Sequence, residues 1–138
     1  MFRNLPCSGW WMSTLNSRTL QRRLTVHASR ILELTSKLPK TPQANHIAKQ
    51  LIRSATAAAA NYGEARAAES RSDFVHKIRI VLKELNESGV WLDLIIDCSF
   101  LTKDTVAPVA AENEELCRIF GASIKTAGGF DRPSTHIR

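Results

Sequence analysis

Four stretches of the 138-residue chain repeat apolar residues with the period of an α-helix, and this pattern constrains the fold more than any other feature. The predicted helices cover residues 17–38, 42–68, 73–100 and 105–127. Pro39 and Pro42 separate the first two stretches, and Gly128 and Gly129 follow the last. Short connections between amphipathic helices favour antiparallel neighbours. The sequence therefore predicts an all-α, antiparallel up-and-down four-helix bundle.

The apolar stripes of these helices predict the core and identify three exceptions. The stripe of the third helix consists of Phe74, Ile78, Val81, Leu82, Leu85, Leu92 and Ile96. His27 and Asn113 are polar residues that fall on the stripes of the first and fourth helices. We expect His27 at the edge of the core rather than in a metal site. Val26 is the reverse case, since it lies on the polar side of the first helix.

The ends of the chain differ from its centre. Residues 1–16 lack the apolar run of a signal peptide, and we expect a disordered extension in which Met12 is an alternative start to Met1. Residues 17–128 are expected to form the bundle, and residues 129–138 a flexible tail. No segment is long and apolar enough to span a membrane. The cysteines, Cys7, Cys98 and Cys117, form no paired motif, which favours free thiols in a reducing, cytoplasmic compartment.

Positive charge is concentrated near the start of the chain. The formal net charge is +6, and residues 1–40 hold seven Lys or Arg against one acid, Glu33, whereas residues 41–138 are balanced. Five cations share the side of the first helix opposite its apolar stripe: Arg18, Arg22, Arg23, Arg30 and Lys37. Such a face suits a polyanion such as RNA or DNA. The alternative is an ordinary solvated helix surface.

Motifs for catalysis and for metal binding are weak or missing. The chain has no nucleophile elbow, Walker loop or dinucleotide glycine pattern. A di-iron bundle uses two Glu-x-x-His pairs, and here only Asp73-x-x-His76 approximates one. Glu64, Glu84 and Glu87 are the best candidates for a metal-dependent enzyme, but ion-paired carboxylates are the simpler interpretation. We therefore predict no enzymatic activity, no metal and no cofactor.

A set of polar and aromatic positions in residues 51–91 is more specific than amphipathicity. It comprises Arg53-Ser54, Asn61-x-x-Glu64-Ala65, Ser70-Arg71, Asp73-Phe74, His76-Lys77, Lys83-Glu84, Glu87-Ser88 and Trp91-Leu92. Glu114, Leu116 and residues 123–126 extend the likeness. Over residues 17–128 the chain resembles the bacterial family of 23S ribosomal-RNA intervening-sequence proteins. Val90 departs from the pattern, since the position before Trp91 is often aromatic in that family.

The resemblance implies a small cytoplasmic four-helix bundle that assembles as a ring-like homopentamer. In a related branch, which serves diversity-generating retroelements, a basic pentamer associates with nucleic acid and a reverse transcriptase. For most members of the family no biochemical function is established. The resemblance therefore adds a homo-oligomer, an RNA or DNA ligand and a reverse transcriptase to the expected partners.

Polar residues of the second and third helices predict a structural cluster. We expect Glu64 and Glu84 to accept hydrogen bonds or ion pairs from nearby cations, because buried carboxylates without partners are costly. The predicted members are Arg53, Asn61, Glu64, Arg71, Lys77 and Glu84.

Apolar residues on the outer side of the third helix predict an oligomer interface. Ile80, Trp91 and Leu94 lie roughly 140–160° from the centre of its core stripe on a helical wheel. In a monomeric bundle we expect an indole and two aliphatic side chains to be left in water, which would favour self-association.

Two functions from different classes fit this sequence. The first is a non-enzymatic, oligomeric nucleic-acid-binding or scaffold protein that uses the basic face of the first helix. The alternative is a protein-interaction subunit whose basic face binds an acidic partner protein, without nucleic acid.

Overall fold

The computed structural model describes residues 14–128, which form four α-helices and no strand. The helices are α1 (Thr14–Thr35), α2 (Pro42–Arg66), α3 (Arg71–Asp97) and α4 (Lys103–Gly128). Helices that follow one another in the chain pack together, and α1 also contacts α4, so the four helices close into one bundle. The predicted all-α four-helix bundle is confirmed. The predicted extension covered residues 1–16 and the predicted tail residues 129–138; residues 1–13 and the whole tail lie outside the described residues.

Side-chain caps determine where three of the helices begin. Thr41 accepts a hydrogen bond from the Ala44 amide at 3.2 Å, with Pro42 at the first helical position of α2. Ser70 accepts from the Asp73 amide at 3.0 Å at the start of α3. Thr102 accepts from the Thr105 amide at 3.2 Å, and α4 begins just after it.

The observed helix ends correct several predicted boundaries by a few residues. Helix α1 already begins at Thr14, so residues 14–16 are helical rather than part of a disordered extension. Helices α1 and α2 end at Thr35 and Arg66, before the predicted residues 38 and 68. Helix α3 ends at Asp97 rather than at residue 100, because Ser99 adopts a left-handed conformation with φ 58°. The Phe100 amide then donates to the Ile95 carbonyl at 3.0 Å, which closes the helix in a Schellman-type turn.

Two clusters of buried side chains show that consecutive helices run antiparallel. One cluster joins the first half of α1 to the second half of α2, the first half of α3 and the second half of α4, and contains Leu24, Tyr62, Ile78 and Phe120. The other cluster joins the opposite halves and contains Ile31, Leu51, Leu92 and Val106. The predicted stripe on α3 is therefore correct in outline. Its last fully buried residue is Ile95, whereas Ile96 is only partly buried.

A polar layer separates the two apolar clusters. We define it as His27, Ser54, Ser88 and Asn113, each at most 3% exposed. Each helix contributes one of these residues at the level where the two clusters meet. Buried polar groups require hydrogen-bond partners, so this layer fixes how the helices are aligned.

Candidate nucleic-acid interface

The five predicted cations are at the surface on the α1 side of the bundle. Arg18, Arg22, Arg30 and Lys37 are exposed, and Arg23 is half-buried. Among the described residues, the four exposed cations form no ion pair. These side chains are therefore free to meet an anion from solution.

A groove between α1 and α4 brings four of these cations together. It has a volume of about 480 Å³ and is called here the basic groove, lined by Arg18, Thr19, Arg22, Arg23, Val26, Arg30 and Glu112. Val26, the apolar residue on the polar side of α1, is partly buried in this lining. A second groove of about 220 Å³ continues the seam past Arg30 to Lys37. The predicted cations thus lie along one seam between α1 and α4.

One cation of the basic groove already has a partner. The Arg23 guanidinium donates from Nη2 to Glu112 Oε1 at 2.7 Å and from Nε to Oε2 at 3.0 Å. The side chains of Arg23 and Glu112 remain 37% and 24% exposed. The Arg23 hydrogen bonds hold the pKa of the Glu112 carboxyl below its usual value, and Glu112 in turn raises the pKa of Arg23. Sequence reasoning missed this pair, because its members are 89 positions apart.

The polar layer lies beneath this seam and ties α1 to α3 and α4. Asn113 Nδ2 donates to the Leu85 carbonyl at 2.9 Å, so its Oδ1 accepts from His27 Nε2, also at 2.9 Å. Because the amide Oδ1 can only accept, Nε2 is the ring nitrogen that carries a proton in this contact. Its Nδ1 has no hydrogen-bond partner among the described residues. Burial lowers the pKa of His27, since a charged imidazole would be desolvated there.

The predicted polar cluster is divided into separate contacts along the bundle. Lys77 Nζ lies 2.7 Å from Glu64 Oε1. Arg53 lies 3.5 Å from Glu84 and also pairs with Glu87. Glu64 and Glu84 thus each have a cation beside them.

Asn61 and Arg71 donate hydrogen bonds to main-chain carbonyls. Asn61 donates to the Ala57 carbonyl of its own helix at 2.9 Å. Arg71 Nε donates to the Ala127 carbonyl at 2.6 Å, which connects the start of α3 to the end of α4. The six predicted residues thus lie on α2 and α3, at separate contacts along this helix pair.

A buried serine pair between α2 and α3 was not predicted. The hydroxyls of Ser54 and Ser88 are 2.7 Å apart, and both residues have no exposed surface. Each hydroxyl also contacts a carbonyl of its own helix. The position of each serine on the apolar stripe of its helix could have indicated that it is buried. Serine is also common on helix surfaces, so this position alone does not predict the pair.

The expectation that Ile80, Trp91 and Leu94 are left in water is wrong, because each of the three is partly buried. Trp91 and Leu94 pack partly against the second core cluster. The Trp91 indole donates to Glu87 at 3.1 Å, and its ring lies edge-on to His46. Ile80 is half-buried. The large hydrophobic residues that are most exposed, among those described, are Val90 at 55% and Leu32 at 45%.

Neither a metal site nor a membrane span is found in the described part of the chain. No three His, Cys, Asp or Glu residues within 14–128 are grouped so that they could hold a metal ion. None of the four helices is both long and apolar enough to cross a bilayer. Cys98 and Cys117 are free, and Cys7 lies outside the described residues.

Comparison with known proteins identifies similar sequences and structures. A sequence model of the family described as 23S rRNA-intervening sequence protein matches residues 21–122. The crystal structure of a protein of unknown function from the S23 ribosomal protein family of Bacteroides thetaiotaomicron is 32% identical to this chain. The alignment covers 77% of this chain and 98% of that one, with a TM-score of 0.72. No match is found among curated proteins.

Proposed function

Because the chain belongs to the 23S rRNA-intervening sequence protein family, we propose that it is a non-enzymatic, nucleic-acid-binding protein whose ligand lies along the α1–α4 seam. The observation that carries this proposal is the line of unpaired cations at that seam. Arg18, Arg22 and Arg30 line the basic groove, and Lys37 lines the second groove. Closely spaced cations without carboxylate partners are what a phosphate backbone requires.

The proposed ligand is recognised through its backbone rather than its bases. The lining of the basic groove holds arginines, two small side chains and the carboxylate of Glu112, but no Phe, Tyr or Trp on which a base could stack. Guanidinium groups bind phosphate oxygens in a bidentate manner. We therefore expect binding that depends strongly on salt and weakly on sequence.

Self-association would strengthen such binding by repeating the seam. We propose a homo-oligomer, a pentamer by the family resemblance, that uses the outer side of α3 near Ile80, Trp91 and Leu94. The exposure of Val90 on the same helix supports this location. Several copies of a weak phosphate site on one particle give a higher overall affinity than one site.

Salt-dependent binding tests the proposed ligand. Anisotropy of a labelled single-stranded RNA and of a DNA duplex is measured with the wild type and with Arg22→Glu/Arg30→Glu, between about 50 and about 200 mM salt. Loss of two phosphate contacts should weaken RNA binding and reduce the logarithmic salt slope by about 1.4. Lys49→Glu/Arg79→Glu is the matched control, since it changes two exposed cations on α2 and α3 by the same charge. An equal loss of RNA affinity in both variants, or a wild type that binds neither RNA nor DNA, would contradict the proposal. Capture of a single acidic protein instead would favour the protein-interaction alternative.

Sedimentation velocity tests the proposed assembly. The wild type should sediment as an oligomer at micromolar concentration, and Ile80→Glu/Val90→Glu should shift it to smaller species. Leu32→Glu changes the other exposed hydrophobic residue, on α1, and should leave the sedimentation coefficient unchanged. A monomeric wild type would refute self-association, whereas a shift caused only by Leu32→Glu would move the interface to α1.

A further inference from the structure

The basic groove contains one carboxylate in an otherwise cationic lining. Among the residues that line it, Arg18, Arg22, Arg23 and Arg30 carry positive charge and Glu112 carries the opposing charge. Among the described residues, the Glu112 carboxylate accepts two side-chain hydrogen bonds, both from Arg23. The strongest anion-binding geometry in the groove, a bidentate guanidinium, is therefore occupied by the protein itself.

Stabilising the bundle is not the only role that this contact can have. Both side chains are partly exposed to solvent, which screens their attraction, while the bidentate geometry makes this pair stronger than an ordinary exposed ion pair. Helix α1 is already joined to α4 beneath the groove by the bond between His27 and Asn113. Glu112 lies at the wall of the groove, where it competes with any anion from solution that binds the Arg23 guanidinium.

We propose that Glu112 is an internal competitor for phosphate that determines which anions the basic groove accepts. In the free protein Glu112 occupies Arg23, and a phosphate must displace it before Arg23 contributes to binding. This inference rests on the proposed function. It concerns the selectivity of the basic groove, which favours a phosphodiester polymer over a single anion.

The selectivity follows from the arrangement of the other cations. A single phosphate that arrives at Arg23 competes directly with a carboxylate that is already held in place. A polymer is first anchored by Arg18, Arg22 and Arg30, which have no ion-pair partner in the described part of the chain. Its next phosphate is then presented to Arg23 at a high effective concentration, which offsets the cost of displacing Glu112.

Neutralising the competitor tests this inference on the intact protein. Glu112→Gln should bind single-stranded RNA roughly tenfold more tightly than the wild type, because Arg23 then reaches its phosphate without breaking an ion pair. Inorganic phosphate should inhibit RNA binding more strongly in this variant than in the wild type. Glu114→Gln is the matched control: it removes the same charge from an exposed position on α4 that does not line the groove, and it should change the affinity much less.

A double-mutant cycle identifies Arg23 as the group that Glu112 occupies. Arg23→Ala should have a small effect on RNA affinity in the wild type, because there the phosphate contact that Arg23 gains is offset by the Glu112 contact that it loses, and it should cancel the gain in the Glu112→Gln background. Equal affinities of Glu112→Gln and Glu114→Gln, or a gain that persists without Arg23, would overturn the inference. If Arg22→Glu/Arg30→Glu abolishes binding while Glu112→Gln equals its control, only this inference fails. A wild type that binds neither RNA nor DNA would refute the proposed function itself.

Discussion

The α2–α3 pair and the α1–α4 pair are packed in opposite ways. Helices α2 and α3 make the most extensive contact of any pair, and α2 carries small, fully buried residues such as Ser54 and Ala58. Small side chains let two helix axes approach closely. Helices α1 and α4 make the sparsest contact among neighbouring helices, and grooves run along their seam. One side of the bundle is thus closed, and the other is open to solvent.

Two cations on each side illustrate a further difference, which is whether a carboxylate lies within ion-pair distance. On the closed side Arg53 and Lys77 are exposed or half-buried cations beside carboxylates of the neighbouring helix. On the open side Arg22 and Arg30 have no carboxylate in ion-pair distance within the described residues. An exposed arginine therefore stabilises a helix pair where the neighbouring helix has a carboxylate beside it. Where it has none, the arginine remains available to a ligand.

Overpacking should have the largest effect of the changes predicted here, and only on the closed side. Ala58 is fully buried, so Ala58→Leu has no space to enter and should cost about 1–3 kcal/mol in the free energy of unfolding. Thr19→Leu introduces the same side chain into the open grooves and should stay within about 0.5 kcal/mol of the wild type. Urea unfolding of both variants measures the difference. Equal costs would show that the α1–α4 seam is as tightly packed as α2–α3.

Acidification should loosen the open side before the closed side. Because burial lowers the pKa of His27 in the folded state, the unfolded chain binds the proton more readily below its ordinary pKa of about 6.5. Stability should be constant above that pH and fall below it, by at most about 1.4 kcal/mol per pH unit, until the folded pKa is reached. Glu112, Arg23 and Arg30 are the charged groups that act on His27. Amide hydrogen exchange should increase in α1 more than in α3.

The control for this pH dependence is a second histidine. His76 is exposed, so His76→Gln should retain the fall in stability, whereas His27→Gln should lose it whatever its absolute stability. An unchanged pH dependence of stability in His27→Gln would show that protonation of His27 does not cause the fall.

The smallest effect is expected at the ion pair between Glu64 and Lys77. Glu64 is 59% exposed, and exposed ion pairs are screened by solvent. Glu64→Ala should lower the melting temperature slightly and leave RNA affinity unchanged, because it lies on the closed side. Calorimetry and anisotropy on the same sample measure both quantities. A change in RNA affinity without a change in melting temperature would place ligand contacts on α2 and α3.

Local sequence features predicted most of the fold because they act over a few residues. The stripes that contain Leu24, Ile78 and Phe120 were correct, and Thr41 was correctly predicted as a cap. The end of α3 was not predicted, since the left-handed turn falls on Ser99 rather than on a glycine. Helix periodicity is strong over several turns, but a helix terminus depends on one or two residues.

The candidate site was predictable only as a charged face. Periodicity placed Arg22, Arg23 and Arg30 on one side of α1, but it contained no information about which of them α4 would neutralise. The contacts of Arg23 with Glu112 and of His27 with Asn113 join positions more than eighty residues apart. Such pairs depend on how the helices are aligned in the bundle, which no local pattern in the sequence determines.

The most direct test of the central claim, that nucleic acid binds the open seam, is an NMR titration of arginine side chains. The Nε–H resonances of the protein are followed while single-stranded RNA is added. We expect shifts at Arg18, Arg22 and Arg30, and no shift at Arg53, which pairs with carboxylates on the closed side. Shifts at Arg53 while the three groove arginines remain unchanged would show that RNA binds away from the open seam.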